Sequence, residues 1–170
     1  MRTRKITLIS ILLAIGIVIQ FIENSLPLIQ GIPGGKLGLV NIITILCIKL
    51  FDLKTSLTIS ILRPLISSLL YGGPIQLLYS LSGSILSFIA MAVIIKKSDS
   101  FSYMGAAISG AAAHNFAQTT VAVIMYSNIY IYTYLPPLLI LSIISGYFTG
   151  FCSTIIIQKY KNRKKINIWR

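Results

Sequence analysis

The sequence predicts an all-α, polytopic membrane protein: six transmembrane helices in a compact bundle, a single domain over residues 1–170. Three observations carry this. The chain is 55% hydrophobic and only 11% charged, where a soluble domain carries roughly 25% charged residues. Its apolar residues come in runs that approach the roughly 20 residues a bilayer-crossing helix needs. Its basic residues fall almost wholly in alternate gaps between those runs.

The first run, Ile6 to Ile22, follows a basic start, as a signal peptide would, but no small-residue cleavage site ends it, so it reads as a helix that stays in the membrane. The segment from Asn24 to Gly35, with Pro27, Pro33 and three glycines, is turn chemistry that leads into a second run, Leu37 to Leu53. A third run, Ser56 to Tyr71, is also short; Lys49 interrupts the second and Arg63 the third. Gly72-Gly73-Pro74 then turns the chain into Ile75 to Ile95. Lys96 to Ser100 separates this run from Tyr103 to Tyr126, and Pro136-Pro137 open the last helix, Leu135 to Gln158.

With the amino end inside, the cytoplasmic ends hold Arg2, Arg4 and Lys5; Lys49 and Lys54; Lys96 and Lys97; and the cluster from Lys159 to Arg170. That is thirteen of the 15 basic residues, the bias that retains Lys and Arg on the cytoplasmic side. The opposite loops, 71–74 and 127–134, carry no charge, and Tyr126, Tyr130, Tyr132 and Tyr134 form an interfacial aromatic belt. The expected place is therefore the plasma membrane, with multiple passes and both termini cytoplasmic. The net charge of +12 follows from this topology, with attraction to anionic lipid as a secondary effect; it is not a nucleic-acid footprint.

Small residues four apart recur where lipid gives helices no hydrophobic reason to associate: Ser10 with Ala14, Ser80 with Ser84, Gly83 with Ser87, Ala106 with Gly110, Gly146 with Gly150. Such pairs let backbones approach, and a compact monomeric bundle accounts for most of them. Cys47 and Cys152 lie in different runs with no ligand or partner near in sequence, and read as core thiols.

Two cations remain after the topological count, Lys36 and Arg63. Arg63 sits near the middle of its run, where a charge is costly and faces a cavity or a partner; a structural ion pair with Glu23 is the plainer alternative. Pro64 beside it can kink the helix and free a carbonyl. On the fifth run His114 and Gln118 are four apart and share a face, with Asn115 adjacent. Together with Asn41, little more than a turn below the outer surface, these residues could form an outward-facing, net cationic pocket. The glycines Gly34 and Gly35 before Lys36 could present backbone N–H groups to an anion, or simply make an ordinary turn. His114 could equally be bonded to a neighbouring helix. The acids number 3, Glu23, Asp52 and Asp99, too few and too scattered for an aspartate-rich diphosphate–Mg²⁺ site. No Walker motif, catalytic triad or metal-ligand cluster appears. Neither enzymatic activity nor a cofactor is expected.

Three motifs taken together, Gly34-Gly35-Lys36-Leu37-Gly38-Leu39-Val40-Asn41, Leu62-Arg63 followed by Ser67-Ser68-Leu69-Leu70-Tyr71-Gly72-Gly73, and Ala113-His114-Asn115-Phe116-Ala117-Gln118, resemble the Gx transporter family over nearly the whole chain. That family has also been labelled heptaprenyl diphosphate synthase component I, and its architecture is similar to the S components of energy-coupling factor importers. The resemblance implies six helices, cytoplasmic termini and an outward-facing site capped by the loop after the first helix. It implies a protein that captures a small polar or anionic molecule and works with a coupling membrane subunit and two ATPase subunits. Docking to the coupling subunit would use a small-residue face of the first helix, for which Ser10, Ala14 and Val18 are the nearest match. A rival reading is a membrane accessory subunit for polyprenyl diphosphate synthesis, offering a lipid-facing groove to the prenyl product while a separate soluble subunit does the chemistry.

Overall fold

A backbone in lipid must satisfy its own N–H and C=O groups, and helices do so within each segment. In a computed structural model, which describes residues 2–25, 38–97 and 103–167, every regular element among those residues is helical. These are α1 (Arg2–Ser25), α2 (Asn41–Leu50), α3 (Leu53–Ser67), a π-helical turn (Ser68–Gly72), α4 (Gly73–Lys97), α5 (Tyr103–Tyr126), a 3₁₀ turn (Ile129–Tyr134) and α6 (Leu135–Asn167). Among the described residues three helical stretches are long and apolar enough to cross a membrane: Thr3–Ser25, Leu53–Lys96 and Ile129–Asn162. The second, 44 residues long, doubles back at Gly73, whose φ of +70° favours glycine, so that α3 and α4 pack against each other. Helix α5 has 24 residues but is interrupted by buried polar groups at mid-length, His114, Asn115 and Gln118.

Helices α1 and α3 run parallel. Lys5 Nζ meets Asp52 Oδ1 at 2.8 Å and Gln20 Nε2 meets Ser67 Oγ at 2.8 Å, each pair 47 residues apart. Gly16 against Arg63 keeps the same spacing. The pairs α4/α5 and α5/α6 are antiparallel, with Gly83 facing His114, Gly110 facing Met91, Gly146 facing Ile108 and Gly150 facing Met104. Alternating direction brings Lys5, Lys49, Lys54 and Lys96 to one end of the bundle, and there the Lys49 ammonium lies 5.4 Å from the Tyr103 ring centre.

Helix α2 is shorter than the 37–53 span its apolar run suggests. It starts only at Asn41, after Gly38 at φ +77°, and ends where Phe51 turns extended (φ −127°, ψ 177°). At about 1.5 Å per residue its length is near 15 Å, half a crossing. Its start lies deep: Asn41 Oδ1 accepts from Ser87 Oγ at 3.0 Å, and Ser87 is four turns along α4 from the Gly73 bend. Asn41 is therefore near mid-bundle and not just below the surface. Residues 43–48 of α2 are buried among α1, α3, α5 and α6, and Ile45 and Cys47 are fully enclosed.

At the lysine-rich end Asp52 caps α3, accepting from Thr55 N at 3.0 Å while also holding Lys5. The hydrogen bond from Lys5, then those from Thr55, hold its carboxyl well below the usual carboxylate range. A depressed carboxyl contributes its stability above the ordinary aspartate value of about 3.9 and loses it as pH falls through the lowered one. Asp52→Asn keeps a capping oxygen and removes the charge. In thermal melts in detergent the parent should be slightly more stable than this variant at pH 7, with the difference shrinking as the pH is lowered below 4.

Candidate functional site

Arg63 is 4% exposed and lies in the second half of α3, about 15 Å from its start at Leu53 and about 6 Å from Ser67, where the π-helical turn takes over. One terminal nitrogen donates to Ser84 Oγ at 2.7 Å and the other to the Val40 carbonyl at 3.4 Å, while Nε has no protein partner. Gly16 on α1 gives the side chain passage: a Cβ there would stand 3.2 Å from Arg63 Cδ. The guanidinium opens on a cavity walled by Gln20, Glu23, Gly38, Val40, Asn41, Ser80, Ser84 and His114, with Arg63 itself. The cavity volume is about 10 Å³, room for about one water molecule.

The walls come from α1, α3, α4, α5 and the entry and first residue of α2. Gln20 and Glu23 lie on the buried stripe of α1 that begins at Gly16. Glu23 Oε1 accepts from the N–H of Gly38, which ties the end of α1 to the entry of α2. Asn41 contributes an Nδ2 with no protein partner. His114 enters from α5 because Gly83 opposite it has no side chain; a Cβ there would fall 2.8 Å from the ring. Buried polar groups left without partners cost roughly 1–3 kcal/mol each. Arg63 Nε and Asn41 Nδ2 are thus available to a polar guest.

Of the residues expected to converge, the structure brings Asn41, Arg63 and His114 around one cavity. Asn115 is directed elsewhere: its Nδ2 donates to Ser142 Oγ at 2.9 Å and to the Leu138 carbonyl at 3.4 Å, stitching α5 to α6. Gln118 is fully buried, and neither amide atom has a protein partner, but it is not part of the cavity wall. Gly34, Gly35 and Lys36 lie outside the described residues. Gln20 and Ser84 are cavity residues that the reading of the sequence did not place there, and Glu23, weighed there only as an ion-pair partner of Arg63, lines the same cavity. A signal for two of them existed: Gly16, Gln20 and Glu23 sit at i, i+4 and i+7, the small and polar positions of one face of an otherwise apolar helix. Arg63 and Glu23 both line the cavity, so among its described walls one cation faces one anion.

Gly83→Ala should push the imidazole from its seat. The chain has 1 histidine, so a ring-labelled sample gives a single imidazole signal by NMR. That signal should shift in Gly83→Ala and stay in place in Ser82→Ala, whose hydroxyl donates to the Tyr79 carbonyl of its own helix.

Two further features bear on function. Ser10, Ala14 and Val18 lie on the exposed face of α1, turned away from the bundle. An apolar groove of about 370 Å³ runs between α4 and α5 near the end opposite the lysines, walled by Leu78, Leu81, Ile85, Val121, Ile124 and Met125 with Ser82. No group of three or more His, Cys, Asp or Glu that could hold a metal occurs among the described residues.

A family model described as heptaprenyl diphosphate synthase component I matches residues 12–156. Searches of the curated proteins and of the solved structures return no match.

Proposed function

We propose that this chain, which belongs to the heptaprenyl diphosphate synthase component I family, is a membrane-embedded binding subunit that takes a small polar molecule into the Arg63 cavity. The observation that carries the reading is Arg63 itself: a guanidinium buried at mid-bundle, with Nε and the neighbouring Asn41 Nδ2 left open. A charge at that depth is expensive and is retained for a function. The polypeptide crosses the membrane six times, α2 as a half-length helix, with both termini at the cytoplasmic, lysine-rich end. The cavity is closed to the size of a water, so entry of a ligand requires the helices around it to part. Nothing in the chain resembles an ATP-hydrolysing motif, so accumulation of the ligand falls to a coupling membrane subunit and ATPases, docked on the α1 face around Ser10, Ala14 and Val18. In this reading the chain is the S component of an importer and has no catalytic activity.

The family description and the apolar groove between α4 and α5 favour a second reading, an accessory subunit that holds the chain of a prenyl diphosphate while a partner makes it. The groove has the right chemistry, with Ser82 the one polar wall. It lies, however, at the end of the bundle away from the lysines, far from a soluble synthase on the cytoplasmic side.

Native mass spectrometry of the protein released from nanodiscs separates the two. The binding-subunit reading expects a reproducible small polar adduct that is lost in Arg63→Ala and kept in Ile85→Trp, which fills the groove. A prenyl adduct lost in Ile85→Trp and kept in Arg63→Ala would replace it with the second reading.

A further inference from the structure

A second layer of polar side chains lies one helical turn beyond the walls of the Arg63 cavity, on the side away from the lysines. Four residues along an α-helix return to the same face, about 6 Å further on. Helices α1 and α5 leave the lysine-rich end and α4 returns to it, so the outward neighbours of the wall residues Gln20, Ser80 and His114 are Asn24, Gln76 and Gln118. All three are carboxamides. Each keeps a buried amide atom with no hydrogen-bond partner among the described residues: Nδ2 of Asn24, Nε2 of Gln76, and both Nε2 and Oε1 of Gln118. Asn24 and Gln76 are half-buried, whereas Gln118 is 0% exposed. Gly72 leaves room for the Gln76 amide, since a Cβ there would stand 2.7 Å from Gln76 Cδ. The next residue on the Gln118 face, Ala122, belongs to an apolar cluster with Tyr79 and Ile131. A carboxamide buried without partners gives up its hydrogen bonds to water and gains none, so an apolar side chain would serve the bundle better at these places.

We propose that Asn24, Gln76 and Gln118 form an outer subsite that takes an uncharged, amide-like edge of the ligand, a lactam or imide in which N–H and C=O stand side by side, when the helices part to admit it. This deepens the binding-subunit reading and rests on it. A carboxamide with both amide atoms open pairs with such an edge through two parallel hydrogen bonds, its N–H to the carbonyl and its oxygen to the N–H. Asn24 and Gln76 add N–H donors for a further carbonyl. None of the three carries a charge, so the layer fits the neutral part of a molecule and leaves any anionic part to Arg63. A guest of the same shape without the N–H would leave the Gln118 oxygen buried and unpaired, which is how a site built for hydrogen bonding rejects a close analogue.

The probes are uracil, which carries such edges, and its N,N′-dimethyl derivative, which has the same ring and carbonyls but no N–H. Saturation-transfer NMR measures each against the full-length protein in nanodiscs, with the signal from empty nanodiscs subtracted. Uracil should bind the parent and the dimethyl derivative should not. Gln118→Met, close to glutamine in volume but without the amide, should weaken uracil binding roughly tenfold or more, and Asn24→Leu and Gln76→Met should each weaken it less. Gln158→Met, exposed at the lysine-rich end of α6, should bind as the parent does. In detergent melts Gln118→Met should be at least as stable as the parent, because it removes an unsatisfied polar group, whereas loss of a structural glutamine would lower the melting temperature. Absence of uracil binding to the parent, equal binding of the two probes, undiminished uracil binding in Gln118→Met, or a Gln118→Met protein that melts well below the parent overturns the amide subsite. The binding-subunit reading is judged separately by native mass spectrometry: a polar adduct lost in Arg63→Ala but kept in Gln118→Met leaves that reading standing while the subsite falls, and a parent without any polar adduct removes both.

Discussion

Alanine at Gly150 or Gly146 should loosen the α5–α6 seam and destabilise the bundle far more than alanine at Gly16. A Cβ at Gly150 would stand 2.4 Å from Met104 Cα, and one at Gly146 would stand 2.5 Å from Ile108 Cα. Both obstacles are backbone, so no side-chain rotation relieves them and the helices themselves must separate. Overpacking costs roughly 1–3 kcal/mol where side chains can adjust, and these sites belong at or above the top of that range. The neighbouring bond from Asn115 to Ser142, 2.9 Å long, would be stretched as the helices part. Gly16→Ala is the control: its added methyl meets Arg63 Cδ at 3.2 Å, the flexible stem of a long side chain, and should cost little. Unfolding by SDS titration from mixed micelles measures all three. A Gly150→Ala midpoint equal to that of Gly16→Ala would show that the seam is not this close.

Arg63→Ala should lower affinity for the copurifying polar ligand more than tenfold, the equivalent of the roughly 1.5–3 kcal/mol that a hydrogen bond to a charged group contributes. Lys49→Ala should leave affinity unchanged, because Lys49 is exposed at the lysine-rich end beside Tyr103. Arg63→Lys should recover only part of the loss: an ammonium cannot reach Ser84, Val40 and a guest at once as the planar guanidinium does. A structural contribution can be separated from this. Removing Arg63 deletes the cation that faces Glu23 across the cavity, so Arg63→Ala should also melt earlier, and adding Glu23→Gln should recover part of that stability. Binding measured in nanodiscs, with the melting temperature recorded for each variant, distinguishes the two effects. Parental affinity in a folded Arg63→Ala protein would remove Arg63 from the site.

Helix positions were largely legible in the sequence because long apolar runs bounded by turn residues and charges mark them. The apolar runs, the Gly72-Gly73-Pro74 turn and the Pro136-Pro137 opening of the last helix lie close to the observed elements. The exception is instructive. The run after Leu37 is apolar enough to read as helical throughout, but Gly38 adopts a left-handed conformation and the helix waits until Asn41. Hydropathy registers the solvent a residue prefers; it says nothing of the φ that a turn demands.

The small-residue pairs looked alike in sequence but have different roles in the bundle. Gly146 and Gly150 bring backbones together, Gly83 makes room for His114, Ser84 binds Arg63, and Ser10 and Ala14 face outward on α1. Spacing identifies a face of a helix, whereas the neighbour that meets that face depends on how six segments are arranged.

The sequence alone determined that the chain is helical, that its helices are apolar in the way a membrane protein's are, and that Arg63 and His114 are polar groups in a setting that discourages them, because these follow from composition and from the cost of burying charge. Only the tertiary structure decided which polar groups meet. It turned Asn115 toward α6, carried Asn41 down to mid-bundle and set Glu23 against Arg63. The reason is geometric: the parallel register of α1 on α3, with partners 47 residues apart, sets Gly16 beside Arg63 and so puts Gln20 and Glu23, one and two turns further along the same face, on the cavity that Arg63 lines, and no local pattern along one helix records the register of another.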